Sequence, residues 1–209
     1  ILTAQTGFSG YYCDDYTDRM DFFTSKWADM GVHFDGICSG YLANPAQIAK
    51  VKNFLNEFQK PDTLYLMDPV LGDHGRPHPF CTNAFIKGMR ELSELATVIT
   101  PNLTEACLLA DISYDDLYAH RYEEDYLPRI QDMCITLLER STKTQTVIVT
   151  GILQEDADGL YVTNLAVSRE EFACTSTPYT GVSFSGTGDL FASAICGYLV
   201  NSTPLQEAM

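Results

Sequence analysis

The chain has 209 residues, enough to bury a full core and better matched to one domain than to two. Acidic residues number 28 against 13 Lys and Arg, a net charge of −15 that disfavours nucleic acid and anionic membranes as partners. No apolar run approaches about 18 residues, so no membrane-spanning helix is expected. Seven cysteines are scattered, odd in number and without C-x-x-C spacing. That argues against a disulfide framework or a zinc site and for a reducing, cytoplasmic setting.

In chain order, residues 1–4 read as an opening strand, and residues 6–10 as a turn-rich loop. Met20, Phe23, Trp27 and Met30 alternate steps of three and four, which predicts a helix over residues 17–30. Residues 34–38 read as a short buried strand. Asn44-Pro45 then starts a helix, with an N-cap residue followed by Pro at the first position. Ile48, Val51, Leu55 and Phe58 form its apolar stripe. Residues 63–67 are the next strand, followed by a long loop and a helix near residues 83–92. Residues 96–100 form a strand, Pro101-Asn102 opens a helix, and a further helix ends near Arg140. Residues 146–150 are a β-branched strand stopped by Gly151. Residues 160–167 and 171–175 read as a hairpin pair. A last helix follows Gly186, and Thr203-Pro204 starts another.

Strand and helix alternate four or five times, which implies an α/β fold with parallel strands joined by right-handed crossovers. Loops at the carboxyl ends of such strands gather on one edge and hold the ligand. Gly40-Tyr41, Asp68, Thr100, Asn102 and Thr150 all lie just past the ends of predicted strands, so they are expected to converge.

The stretch Ser185-Gly186-Thr187-Gly188-Asp189-Leu190-Phe191 carries the sharpest chemistry. Glycines ahead of a helix free several N–H groups to point outward, and the helix dipole adds positive potential there. Gly186, Thr187 and Gly188 thus read as an anion cradle. A carboxylate at its mouth repels a resting phosphate. It suits a base that takes the proton of an attacking hydroxyl, the role expected of Asp189. An Asp in a first helical turn is also ordinary capping chemistry.

Other candidates carry similar alternatives. Asp68 and Asp73 bracket a Pro-Val-Leu-Gly turn and suit a divalent metal near nucleotide phosphates, or a turn cap and a solvated charge. Asn102 and Glu105 are spaced as a capping box, or as a phosphate contact and a carboxylate reaching metal through water. Thr150 with Gly151 reads as a phosphate contact or a ladder end. Thr6 and Tyr41 read as ring contacts, Tyr41 also as half-buried packing. His74 and His78 lack a third ligand nearby and read as loop residues.

Taken together, Thr6-Gly7, Gly40-Tyr41-Leu42, Asp68-Pro69-Val70-Leu71-Gly72-Asp73, Thr100-Pro101-Asn102-Leu103-Thr104-Glu105-Ala106, Val149-Thr150-Gly151 and Gly186-Thr187-Gly188-Asp189-Leu190-Phe191 span nearly the whole chain. In this order they resemble the bacterial pyridoxal/pyridoxamine (vitamin B6) kinases of the ribokinase-like superfamily. The resemblance implies a three-layer α/β/α sandwich with a mostly parallel sheet, one kinase domain over residues 1–209. It implies phosphorylation of the 5′-hydroxymethyl group of a B6 vitamer by ATP with Mg²⁺, often helped by a monovalent cation such as K⁺, in a cytoplasmic homodimer. Asp189 matches the catalytic base and also a substrate contact, with Gly186, Thr187 and Gly188 as the anion hole. Asp68, Asn102, Thr150 and Gly151 match the ATP neighbourhood, Asp68 and Glu105 the metal neighbourhood, and Thr6 and Tyr41 the ring site.

The chain departs from the family pattern at both ends. The first strand and its substrate-contacting loop have no match, and neither do the C-terminal helices, so the chain is expected to be truncated. Phe80 stands in a loop where relatives often carry a Tyr that closes over the substrate. Within the superfamily the rival is a hydroxymethylpyrimidine kinase. Outside the enzymes it is a non-catalytic B6- or nucleotide-binding protein.

Overall fold

The computed structural model describes residues 9–209 except 142, 145 and 183, with backbone alone at Asp156. The expected opening strand and Thr6 lie outside the described residues. The central sheet has six strands in the order β1 (Gly36–Ser39), β2 (Leu64–Met67), β5 (Val98–Ile99), β6 (Thr146–Asp156), β7 (Gly159–Ser168) and β8 (Phe172–Pro178). The first four run parallel, and β7 alone is reversed, pairing antiparallel with both β6 and β8. The small hairpin of β3 (Gly72–Asp73) and β4 (Arg76–Pro77) stands apart, where a plain loop was expected.

Helices cover both faces. Strand residues alternate between them because successive side chains point to opposite sides. Tyr65, Met67, Val147 and Val149 join the larger core, with α2 (Pro45–Phe58), α3 (Asn83–Ser93), α4 (Leu103–Ala110) and α6 (Tyr126–Glu139). Leu66, Val98 and Ile148 point the other way, onto α7 (Thr187–Val200) and α8 (Leu205–Ala208). This is the three-layer α/β/α sandwich.

Local chemistry explains most boundaries. The Asn44 side chain accepts the Gln47 N–H at 3.0 Å to cap α2, whose Ile48, Val51, Leu55 and Phe58 are all buried. Thr82 and Ser113 cap α3 and the short α5 (Tyr114–Ala119) in the same way. The helix predicted over residues 17–30 is a 3-10 turn leading into α1 (Met20–Asp29). Its stripe is not fully covered by the described residues: Phe23, Trp27 and Met30 stay 46%, 39% and 74% exposed, with Trp27 edge-on to Phe34 and Phe54.

Gly151 does not stop its strand. It sits at φ 69° in an irregularity of pairing between Val149 and Ile152, and β6 continues to Asp156. The Asn164 side chain on β7 accepts the Gly151 N–H at 3.1 Å, so the bulge is satisfied from the neighbouring strand.

α7 packs on β1 and β2. A methyl group added at Gly36 would meet Val200 Cγ2 at 2.7 Å and Cys196 Sγ at 3.1 Å, so only glycine lets helix and strand come this close. Gly36→Val should overpack this seam and cost about 1–3 kcal/mol, read as a lower urea midpoint. Val200→Ala in the same chain should restore part of the loss.

Candidate functional site

The carboxyl ends of the parallel strands lie side by side. Asp68 N donates to Ser39 O at 2.8 Å, Thr100 N to Met67 O at 3.0 Å and Thr150 N to Pro101 O at 2.9 Å, so Asp68 and Thr100 follow the ends of their strands while Thr150 stands just before the β6 bulge. Asn102 and Thr150 also form an isolated parallel bridge. The expected residues Gly40, Asp68, Thr100, Asn102 and Thr150 therefore do meet on one edge.

The last helix brings its first turn to that edge. Gly186 takes a left-handed conformation at φ 92°, open to glycine, and caps α7 without a side chain. The first amide bonded back into the helix is Leu190 N, to Gly186 O at 3.1 Å. The amides of Thr187, Gly188 and Asp189 thus belong to the turn that has no partner within a helix. The Thr187 hydroxyl donates to Phe184 O at 3.1 Å, which fixes the loop ahead of the turn.

Two carboxylates face this turn. An added methyl at Gly188 would lie 3.8 Å from Asp68 Oδ2, and one at Gly40 would lie 3.8 Å from Asp189 Oδ1. Asp189 is exposed and Asp68 is buried at 9%. Burial, and then the charge of Asp189, push the Asp68 carboxyl up to about 6, while the Thr100 hydroxyl, donating to Asp68 Oδ1 at 3.4 Å, opposes the shift. Cys38 shares the neighbourhood. Cys38 is exposed, and partial desolvation, with Cys196, Asp68 and Asp189 nearby, pushes its thiol up to about 11.

Glu105 is 5% exposed and the Asn102–Glu105 capping box is complete. Glu105 Oε2 accepts the Asn102 N–H at 2.8 Å, and the Asn102 side chain accepts the Glu105 N–H at 2.9 Å. Two further bonds lie outside capping. Glu105 Oε1 accepts the Leu71 N–H at 3.1 Å, and Asn102 Nδ2 donates to Gly72 O at 2.9 Å. Burial raises the Glu105 carboxyl, with Asp68 adding to the rise, while the amides it accepts from Asn102 and Leu71 favour the ionised form and oppose the shift. Thr150 is half-buried and Gly151 exposed at the adjoining bulge.

Tyr41, one residue beyond Gly40, is 44% exposed and meets the Phe80 ring edge-on at 5.4 Å. Phe80 is itself stacked on His78 at 5.6 Å. Burial raises the Tyr41 hydroxyl, with Cys13 and Tyr11 next in effect. Tyr41, Phe80 and His78 thus form a run of aromatic contacts that starts one residue beyond Gly40. Asp73 lies on the outer hairpin, paired with His74 at 3.4 Å and apart from Asp68. Sequence reading missed that Gly36 sets the approach of α7 and that Glu105 reaches Leu71; neither leaves a pattern in neighbouring residues. A cleft of about 890 Å³, lined by Asp35, Lys60, Leu64, Thr97 and Val200 among others, opens at the opposite, amino ends of the strands and holds none of the expected site residues.

The family model described as phosphomethylpyrimidine kinase matches residues 21–209. A Schizosaccharomyces pombe protein assigned as a pyridoxal kinase is 22% identical over 84% of this chain and 54% of its own length. The pyridoxal kinase PdxY of Deinococcus radiodurans is 27% identical over 84% of this chain and 57% of its own. The chain spans about half the length of the curated relatives it matches. A crystal structure of a Bacteroides thetaiotaomicron protein assigned as a phosphomethylpyrimidine kinase, solved with pyridoxal, superposes with a TM-score of 0.86 at 33% identity, covering 99% of this chain and 70% of that one. No described helix is long and apolar enough to cross a membrane.

The raised Asp68 carboxyl sets a sign for stability. Its ionised form is disfavoured in the fold, so the contribution is full below about pH 4 and is lost as pH rises through about 6. Asp68→Asn should remove that slope and raise stability at pH 8 by about 1–3 kcal/mol, read from urea denaturation at pH 4 and pH 8.

Proposed function

Since the chain belongs to the phosphomethylpyrimidine kinase family, we propose that it transfers the γ-phosphoryl group of ATP to the 5′-hydroxymethyl group of a B6 vitamer: pyridoxal, pyridoxine or pyridoxamine. The observation that carries this reading is the meeting of the amide turn at residues 187–189 with the carboxylates of Asp68 and Asp189 at the strand ends; the Tyr41–Phe80 ring pair, which begins one residue past Gly40, supports it.

The proposed step is an in-line displacement. The alcohol oxygen bonds to the γ-phosphorus, the bond to the β–γ bridging oxygen breaks, ADP leaves, and the alcohol proton passes to Asp189. The amides of Thr187, Gly188 and Asp189, ahead of which Gly186 makes the turn, meet the charge on the moving phosphoryl oxygens. Asp68 is the carboxylate suited to a magnesium ion, which prefers few carboxylates and keeps several waters. A cation there would relieve the strain of holding two carboxylates close together, and it would supply neutralisation of phosphate charge. Thr150 and Gly151 border the nucleotide side, and Asn102, its side chain committed to Glu105 and Gly72, acts by holding the loop. A flat aromatic substrate suits the wall of Tyr41 and Phe80 better than a sugar does. A hydroxymethylpyrimidine is the second substrate to consider, because the matching family is named for that chemistry.

Asp189→Asn should lower kcat by about two to four orders of magnitude with little change in KM, measured as ADP release with pyridoxal and MgATP. Parent-like turnover by this variant removes the assignment. Pyridoxal and hydroxymethylpyrimidine competed for one ATP supply, and compared by kcat/KM, decide the acceptor. Binding of both ligands by calorimetry with no ADP formed over hours would make the protein a binder and not a kinase.

A further inference from the structure

Glu105 does more than a helix cap requires. In a capping box its carboxylate serves the N-cap amide alone. Here one oxygen takes the Asn102 amide at 2.8 Å and the other takes the Leu71 amide at 3.1 Å. Leu71 and Gly72 belong to no helix. They end the turn that begins at Asp68, and Asp68 O already accepts the Val70 N–H at 3.1 Å. Asn102 Nδ2 closes the circuit by donating to Gly72 O at 2.9 Å. A carboxylate offers about four acceptor positions. Two of these are committed to backbone amides, one on each oxygen, within a group that is only 5% exposed. The turn carrying Asp68 and the start of α4 are therefore stitched together from both sides.

We propose that Glu105 is a positioning residue: its carboxylate straps the Asp68–Gly72 turn to the start of α4 and acts on phosphoryl transfer through Asp68, without itself ligating metal or nucleotide. The strap is complete in the protein alone. A direct ligand role would compete with these amides for the same two oxygens, and any amide it displaced would be costly to leave unpaired. The effect on catalysis rests on the kinase reading; the strap itself does not.

Glu105→Gln tests it, because glutamine keeps the shape but turns an NH₂ group toward one of the amides it must accept. In EDTA, hydrogen exchange at the Leu71, Gly72 and Asn102 amides should speed up at least tenfold in the variant. With MgATP and pyridoxal, kcat should fall about 10- to 100-fold and stay low at saturating magnesium, with the half-saturating magnesium concentration within twofold of the parent. In an Asp68→Asn background, Glu105→Gln should change kcat less than twofold. Recovery of kcat at high magnesium with unchanged amide protection would overturn the strap and make Glu105 a metal-site residue. Should the variant not fold, the parent decides by itself: the Leu71 and Gly72 amides should remain equally protected with EDTA and with MgADP, and their deprotection by MgADP would overturn the proposal. A parent without kinase activity but with Glu105-dependent protection leaves the strap standing and removes the reaction.

Discussion

α7 lies against β1 along its length, and the seam between them has no room for a side chain at Gly36. That contact sets the position of everything at the other end of the helix. With Val200 and Cys196 seated over Gly36, the first turn of α7 comes down beside Gly40, and Asp189 reaches the strand tips. A rigid helix transmits position well. Packing at its distant end therefore governs where a carboxylate stands relative to Asp68.

The edge itself combines two opposed electrostatic elements. One is the amide turn ahead of α7, which favours negative charge. The other is a set of carboxylates, Asp68, Asp189 and Glu105, crowded enough that burial and mutual repulsion raise two of them well above ordinary values. Among the described residues the amide turn is thus a local site favourable to an anion beside acids that repel one, on a chain whose net charge is −15.

Two kinds of holding keep the acids in place. Asp68 is steadied by Thr100 from the neighbouring strand, a contact expected wherever parallel strands end together. Glu105 instead ties a loop to a helix start, using two amides that secondary structure leaves over. Tyr41 meets Phe80 edge-on and Phe80 stacks on His78, all on loops, so this wall is built from packing while the turn at the start of α7 is built from backbone.

Much of this was legible in the residues. The α2 stripe, the Asn44 cap, the Asn102–Glu105 box and the convergence of strand-end residues follow from local rules of period, capping and chain direction, which need only neighbours in sequence. The order of elements also sufficed for a three-layer fold, since alternating strands and helices have few ways to pack. Other features were beyond that reach. Gly151 looks like a strand stop, but the Asn164 side chain across the ladder rescues its amide and lets β6 run on. The α1 stripe predicts a helix correctly and says nothing of what covers Phe23 or Met30. Gly36 is an ordinary glycine until α7 arrives, and Glu105 an ordinary cap until Leu71 is folded against it. The sequence by itself settled which elements form and which residues share an edge, because those depend on backbone periodicity and direction. How closely the elements approach, and which buried amides a carboxylate must satisfy, was decided only by the tertiary structure, because those depend on atoms far apart along the chain.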